Sequence, residues 1–236
     1  MSKDVIAKVS STEVSAFREK LKTMAVARPP SSPLGRGRLI FALDATASRM
    51  PTWDVACRIQ GAMFEATAAI GGLDIQLVFY RGYDECKASR WMTTANELHR
   101  VMSRVSCVGG ETQIERILSH AITETTRQKV SAVIFIGDAM EERIDRLGHQ
   151  AGKLGSLGVR IFIFQEGNNP VAAASFKQMA HLSKGAYLAF DLASIGRLKE
   201  LLGAVAVYAT GGYQALEAYG RKTGGDALRL TSQLQR

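Results

Sequence analysis

The sequence is poor in the residues that bind soft metals or form disulfides. Its 236 residues include only three cysteines and four histidines. Cys57, Cys86 and Cys107 form no Cys-x-x-Cys pair, and the histidines have no ligand spacing. These absences exclude a zinc finger and a disulfide framework, and they predict reduced, packed cysteines in a cytoplasmic protein.

Long apolar runs are also missing. The longest run, around residues 201–209, is interrupted by Gly203 and falls short of the roughly 20 residues that span a bilayer. The first residues, 1–5, lack the apolar segment of a secretory signal. We therefore expect a cytoplasmic protein that does not cross a membrane.

The formal net charge of +8 is carried by the two ends of the chain. Residues 39–196 hold 16 basic and 16 acidic side chains, whereas residues 1–38 hold 8 against 3 and residues 197–236 hold 6 against 3. No stripe of Lys and Arg with interleaved aromatic residues is present, so direct nucleic-acid binding is not favoured. Basic ends of this kind can also dock an acidic protein partner.

The chain divides into three parts by composition. Residues 11–26 have the apolar spacing of a helix, and the prolines of 28–35 favour an extended linker. We therefore predict a basic N-terminal helix and Pro-rich linker at 1–37, an α/β domain at 38–209 and a basic C-terminal tail at 210–236. The N-terminal helix and the tail are candidate docking elements.

The central part alternates between apolar strand-like runs and amphipathic helices. We predict strands at 38–43, 75–80, 87–91, 130–136, 159–164 and 186–190. We predict helices at 53–70, 95–105, 112–126, 141–157, 171–182 and 195–208. This alternation is typical of an α/β fold with a doubly wound, mostly parallel sheet flanked by helices. We expect the run at 87–91 to be a short, antiparallel edge strand.

Three loops that follow apolar segments offer only oxygen side chains. The first carries Asp44, Thr46 and Ser48, the second carries Thr112 after two glycines, and the third carries Asp138. Two carboxylates and three hydroxyls, without imidazole or thiolate, suit Mg²⁺ or Mn²⁺ better than Zn²⁺. Because the carboxyl ends of parallel strands meet at one edge of a sheet, we expect these side chains to converge.

This arrangement resembles the metal-ion-dependent adhesion site of the von Willebrand factor A (VWA) domain family. That family has Asp-x-Ser-x-Ser after its first strand, a Thr in a second loop and an Asp after a later strand. The resemblance implies a Rossmann-like domain of the stand-alone intracellular bacterial type, with Asp44, Thr46, Ser48, Thr112 and Asp138 as ligands of Mg²⁺ or Mn²⁺. It also implies a protein-interaction module rather than an enzyme. A partner carboxylate would complete the coordination, and an ATPase or chaperone-like machine is the implied partner.

Three further carboxylates flank the proposed ligands, namely Glu111, Glu141 and Glu142. Extra negative charge here either strengthens metal binding or fills the position meant for a partner. The same residues have simpler roles as alternatives. Asp44, Thr46 and Ser48 can cap the helix that follows, Thr112 can cap the next helix with Glu115, and Glu141 and Glu142 can complement a helix dipole.

An enzyme is the main alternative function. Asp44 after a strand, and Asp138 with Glu142 after another, also resemble the haloacid dehalogenase superfamily, which implies Asp44 as a nucleophile and Asp138 and Glu142 as metal ligands. That superfamily places a flap directly after its first Asp, whereas here a helix follows within a few residues, and it gives no reason for Ser48. A scaffold without metal is a third alternative.

Overall fold

A six-stranded sheet forms the centre of the protein. The computed structural model describes residues 36–234. Within that range the strands are β1 (Gly37–Asp44), β2 (Leu73–Arg81), β3 (Glu85–Met92), β4 (Ala132–Gly137), β5 (Arg160–Glu166) and β6 (Ala186–Phe190). Their order is β3-β2-β1-β4-β5-β6, and all neighbours are parallel except β2 and β3. The predicted doubly wound α/β class is confirmed, including the antiparallel edge strand.

Helices cover both faces of the sheet. They are α1 (Met50–Ile59), α2 (Gly61–Thr67), α3 (Ala95–Met102), α4 (Ile114–Arg127), α5 (Ile144–Ser156), α6 (Pro170–Leu182), α7 (Ile195–Thr223) and α8 (Gly225–Gln233). Helices α1 to α3, α7 and α8 pack on one face, and α4 to α6 pack on the other. Alternate residues of β1 enter the two cores, which explains why its run is apolar throughout.

The last long helix bends sharply at Gly212, where φ is 70° and ψ is −162°. A Cβ added to Gly203 would lie 3.2 Å from the Tyr219 hydroxyl. Along a straight helix these residues would be about 24 Å apart, so the chain turns back at Gly212. A side chain other than glycine is strained at this positive φ.

Residues 210–234 include the end of α7 and all of α8, and they contribute apolar side chains to the core. Leu216, Ala227, Leu230 and Leu234 are all at most 5% exposed. Helix α8 is tied to the start of α7 because Arg197 Nε donates to Asp226 Oδ2 at 2.6 Å and Glu200 Oε1 accepts from Ala227 N at 3.0 Å. The segment set apart by composition as a tail is therefore packed against the sheet. Helix α7 continues past its bend to Thr223, whereas the sequence pattern predicted that this helix ends at Tyr208.

Two other predicted helices differ from the structure. The helix predicted at 53–70 is divided into α1 and α2, and Ile70, placed in its apolar stripe, is 44% exposed. The helix predicted from Glu141 begins at Ile144, because Glu141 and Glu142 are used elsewhere. The predicted helix at 11–26 and the linker lie outside the described residues. Across the part of the chain that is described, no helix has the length and apolarity to cross a membrane.

Candidate metal site

The sheet reverses its winding direction between β1 and β4. From β1 the chain moves outward to β2 and β3, and then returns to add β4, β5 and β6 on the other side. Asp44 ends β1 and Asp138 directly follows β4, which pairs with β1 in parallel through Leu43 and Ile136. In sheets of this type ligands bind at such a switch point, beyond the carboxyl ends of the strands.

The loop after β1 is folded around the Asp44 carboxylate. Asp44 is 3% exposed, and its Oδ1 accepts a hydrogen bond from the Thr46 backbone N at 2.7 Å. A 3₁₀ turn at Ala47–Arg49 follows and leads into α1. Neither this turn nor α1 has a side-chain cap, so the proposal that these side chains cap the following helix is wrong.

Backbone contacts fix the loop that carries Gly109, Gly110 and Thr112. Val108 N donates to Ala45 O at 3.0 Å, and Glu111 N donates to Gly82 O at 3.2 Å. A Cβ on Gly110 would overlap the Gly82 carbonyl, so only glycine fits where this loop crosses the end of β2. These contacts bring Thr112 beside the β1 loop.

Thr112 is bound to the loop after β4. Its Oγ1 accepts from Glu141 N at 3.1 Å, while its backbone N donates to the Glu141 carboxylate at 2.9 Å. Glu142 accepts from Ile114 N at 2.6 Å and Glu115 N at 2.8 Å, at the start of α4. The predicted capping of α4 by Thr112 with Glu115 is therefore wrong, because the next loop supplies the carboxylate. Glu141 and Glu142 precede α5, but the Glu141 carboxylate binds Thr112 and the Glu142 carboxylate binds the start of α4.

All five proposed ligands line one cavity of about 180 Å³. The lining residues are Asp44, Thr46, Ala47, Ser48, Gly109, Gly110, Thr112, Asp138, Ala139 and Glu141. Of the three flanking carboxylates, only Glu141 lines this cavity. Glu111 is exposed, and Glu142 lines a neighbouring cavity with Thr112, Gln113 and Arg116.

The charges in this cavity favour a cation. Burial is the largest cause of the raised pKa of Asp44, and repulsion by Asp138 adds to it, against the hydrogen-bonding contacts of Thr46 and Tyr80. In residues 36–234 no three or more His, Cys, Asp and Glu side chains form a group able to hold a metal. Any ion here would depend on hydroxyl oxygens, and the two carboxylates and three hydroxyls fit a hard cation.

Tyr80 adds a poorly bonded buried hydroxyl to this site. It is the last residue but one of β2, in register with Asp44, and is fully buried. Burial, followed by the charge of Asp44 and a hydrogen-bonding contact with its carboxylate, raises the pKa of Tyr80 well above its ordinary value, and Glu142 and Asp138 add to this. The hydroxyl nevertheless makes no hydrogen bond of good geometry. A buried hydroxyl without a well-formed hydrogen bond needs an explanation, and a bound ion with its waters supplies one.

Sequence reasoning missed Arg49, Glu166 and Tyr80. Arg49 Nη2 pairs with Asp138 Oδ2 at 3.0 Å, and its Nη1 pairs with Glu166. Tyr80 and Glu166 lie at the carboxyl ends of strands that the sequence pattern did predict. Applying the rule for strand ends to every strand, and not only to those with oxygen-rich loops, would have included both.

Solved structures share this architecture. A von Willebrand factor type A protein from Catenulispora acidiphila superposes with a TM-score of 0.61 over 75% of this chain, at 13% identity. The chain has the VWA fold. The SpRpn10 VWA domain gives a TM-score of 0.56 at 9% identity, over 70% of this chain and 95% of that domain. Proximal thread matrix protein 1 from the mussel byssus, described with a zinc-occupied MIDAS motif, gives 0.61 at 15% identity over 83% of this chain.

The structural likeness shows the VWA fold and covers only part of the longer proteins. This chain spans 43% of the Catenulispora protein and 52% of the byssus protein. The sequence matches no protein-family model and no curated protein.

Proposed function

We propose that this chain is a protein-interaction module that binds Mg²⁺ or Mn²⁺ at the carboxyl end of its sheet and is not an enzyme. The observation that carries the proposal is the convergence of Asp44, Thr46, Ser48, Thr112 and Asp138 on one cavity at the switch point of a VWA fold. The zinc-occupied MIDAS motif of the byssus protein supports a divalent ion at this position.

In this proposal the hydroxyls of Thr46 and Ser48 hold the ion, and Asp44 and Asp138 hold it directly or through water. Thr112 would join or leave the coordination with the state of the ligand. Bound there, the ion supplies a Lewis-acidic position that a carboxylate of a protein partner completes. Few carboxylates contact such an ion, which leaves it electrophilic enough to attract a partner's charge.

The choice of metal follows from the donor set. Among residues 36–234 no cysteine or histidine lines the cavity, and hard oxygen ligands suit Mg²⁺ and Mn²⁺ better than Zn²⁺. Calorimetric titration of the metal-stripped chain with each of the three ions tests this choice. We expect heat of binding with Mg²⁺ and Mn²⁺, and a preference for Zn²⁺ over both would contradict it.

Substitution of Asp44 tests the site itself. We expect Asp44→Ala to abolish the rise in melting temperature that Mn²⁺ produces, because Asp44 is the buried carboxylate of the set. Asp54→Ala is the matched control, since Asp54 is exposed on helix α1. If Asp44→Ala responds to metal like the parent, Asp44 is not a ligand.

The partner is tested by capture with and without chelator. We propose a cytoplasmic partner, and the resemblance to VWA proteins points to an ATPase or a chaperone-like machine. Proteins retained by the parent chain in Mg²⁺, and lost both in EDTA and with Asp44→Ala, would be partners of this site. Proteins retained equally in EDTA and by Asp44→Ala would bind another surface of the chain.

The phosphohydrolase alternative needs Glu142 as a metal ligand. Glu142 instead accepts two backbone hydrogen bonds at the start of α4 and does not line the cavity with Asp44. Helix α1 also starts at Met50, which leaves no room for a flap after Asp44. Hydrolysis of a generic phosphate ester by the parent, absent in Asp44→Ala, would restore this alternative.

A further inference from the structure

Arg49 contacts two of the five proposed metal ligands. It directly follows Ser48, and its Nε donates to Ser48 Oγ at 3.3 Å. Its Nη2 pairs with Asp138 Oδ2 at 3.0 Å, and the Arg49 side chain is only 11% exposed. A guanidinium therefore already satisfies one hydroxyl and one carboxylate of the set.

The other side of Arg49 is held by Glu166. Arg49 Nη1 pairs with Glu166 Oε2, and the Thr52 hydroxyl donates to the same oxygen. Glu166 ends β5, beside β4, and its side chain is 14% exposed. Neither Arg49 nor Glu166 lines the cavity, so the pair lies beside the position of the ion and does not fill it.

We propose that Arg49 is an internal counter-cation that sets the metal affinity of this site, and that Glu166 restrains it. This inference rests on the proposed function, because it takes Ser48 and Asp138 as ligands. In the metal-free protein the guanidinium neutralises Asp138 and orders Ser48. When the ion binds, Arg49 gives up those contacts and keeps Glu166, whose second hydrogen bond comes from Thr52.

Two physical effects predict how the removal of Arg49 changes the metal affinity. A positive charge that contacts two ligands repels a divalent ion, and its contact with Asp138 must weaken before that carboxylate serves the ion fully. Removing Arg49 is expected to tighten metal binding about tenfold at low salt, from the Coulomb energy of a single and a double charge several ångströms apart in a water-like dielectric. The gain shrinks as salt screens the charges.

Glu166 acts in the opposite direction. Without its carboxylate, Arg49 has Asp138 as its remaining anionic contact and competes more strongly with the metal. The lost negative charge also weakens the general attraction for a cation. We therefore expect Glu166→Gln to weaken metal binding, so that the two substitutions change the affinity with opposite signs.

The test uses the full chain, stripped of metal and titrated calorimetrically with Mn²⁺ and Mg²⁺. Arg49→Gln should bind about tenfold more tightly than the parent, and Glu166→Gln should bind more weakly. Arg58→Gln is the matched control because it removes an exposed charge from α1, and its affinity should equal that of the parent. Metal-free Arg49→Gln should also melt at a lower temperature than the parent, since Asp138 loses its counter-ion.

A second variant covers the case in which Arg49→Gln does not fold. Arg49→Lys keeps the charge, but a single ammonium cannot contact Ser48, Asp138 and Glu166 together as the guanidinium fork does. Its metal affinity should lie between those of the parent and Arg49→Gln. An affinity at or below that of the parent would overturn the inference.

The outcomes separate this inference from the proposed function. Equal metal affinity in the parent and Arg49→Gln overturns the role of Arg49 and leaves the metal site intact. Binding by Arg49→Gln alone supports the role of Arg49 and overturns metal binding by the natural chain. Absence of binding in both overturns both.

Discussion

Glu142 gives the sharpest test of how the loops around the cavity are held together. Its carboxylate accepts two hydrogen bonds, from Ile114 N at 2.6 Å and Glu115 N at 2.8 Å, across 28 and 27 residues of sequence. It caps the N-terminus of α4, where a negative charge also complements the helix dipole. We predict that Glu142→Ala lowers the free energy of unfolding and loosens the adjacent Thr112.

The magnitude follows from the two bonds and the charge. Bonds to a charged acceptor contribute about 1.5 to 3 kcal/mol each when fully buried. Glu142 is partly exposed, so water replaces part of each bond, and we expect a total loss of about 2 kcal/mol. For a domain of this size that loss lowers the melting temperature by roughly 4 to 8 °C. Glu142→Gln keeps one carbonyl oxygen as an acceptor and should lose about half as much.

Urea unfolding and thermal melting of the metal-free protein measure this effect. Glu111→Ala is the control, because Glu111 is a nearby exposed carboxylate and its loss should change stability by less than about 0.5 kcal/mol. Equal stability of the Glu142→Ala and Glu111→Ala variants would refute the capping role. Glu142→Gln should keep metal binding, whereas the phosphohydrolase alternative requires that binding be lost.

Two further substitutions test an ion pair that holds helix α8 and a buried hydroxyl beside the cavity. Asp226→Asn should lower the free energy of unfolding by about 2 kcal/mol at pH 7. The Arg197 hydrogen bond is the main cause that lowers the pKa of Asp226, so its stabilisation is present above the ordinary pKa of 3.8 and is lost as pH falls through the lowered value. Urea titrations at pH 7 and pH 3 should therefore show the gap between parent and variant closing, and a constant gap would contradict the pairing. Tyr80→Phe tests the contact of the Tyr80 hydroxyl with Asp44. Because this buried hydroxyl makes no hydrogen bond of good geometry, its removal should stabilise the metal-free protein by up to about 1 kcal/mol. A loss of stability in the same assay would mean that the bond to Asp44 is well formed.

The sheet was predictable because each strand carries its own signal. A parallel strand covered on both faces reads as an unbroken apolar run, and β1 and β4 are buried along their whole length. The winding rule then places Asp44 and Asp138 at the same edge without any knowledge of side-chain contacts. The observed cavity contains both, together with the three predicted hydroxyls.

Helix ends were less predictable because they depend on distant residues. Glu141 and Glu142 are good first-turn residues for a helix, and composition alone assigns them to α5. Their carboxylates instead accept hydrogen bonds from Thr112 and the start of α4, so that α5 begins at Ile144. The bend at Gly212 also depends on distant residues, because Arg197 and Glu200 at the start of α7 hold α8 after the chain has turned back.

The cation beside the site could not be predicted from spacing, because a ligand motif records oxygen atoms and not the charges that compete for them. Arg49 is adjacent to Ser48 in sequence, yet its effect depends on Asp138 and Glu166, which lie at the ends of two other strands. A motif of five oxygen ligands therefore predicts where an ion fits. How tightly it binds depends on whether Glu166 or Asp138 holds the guanidinium, and that balance is set by the fold.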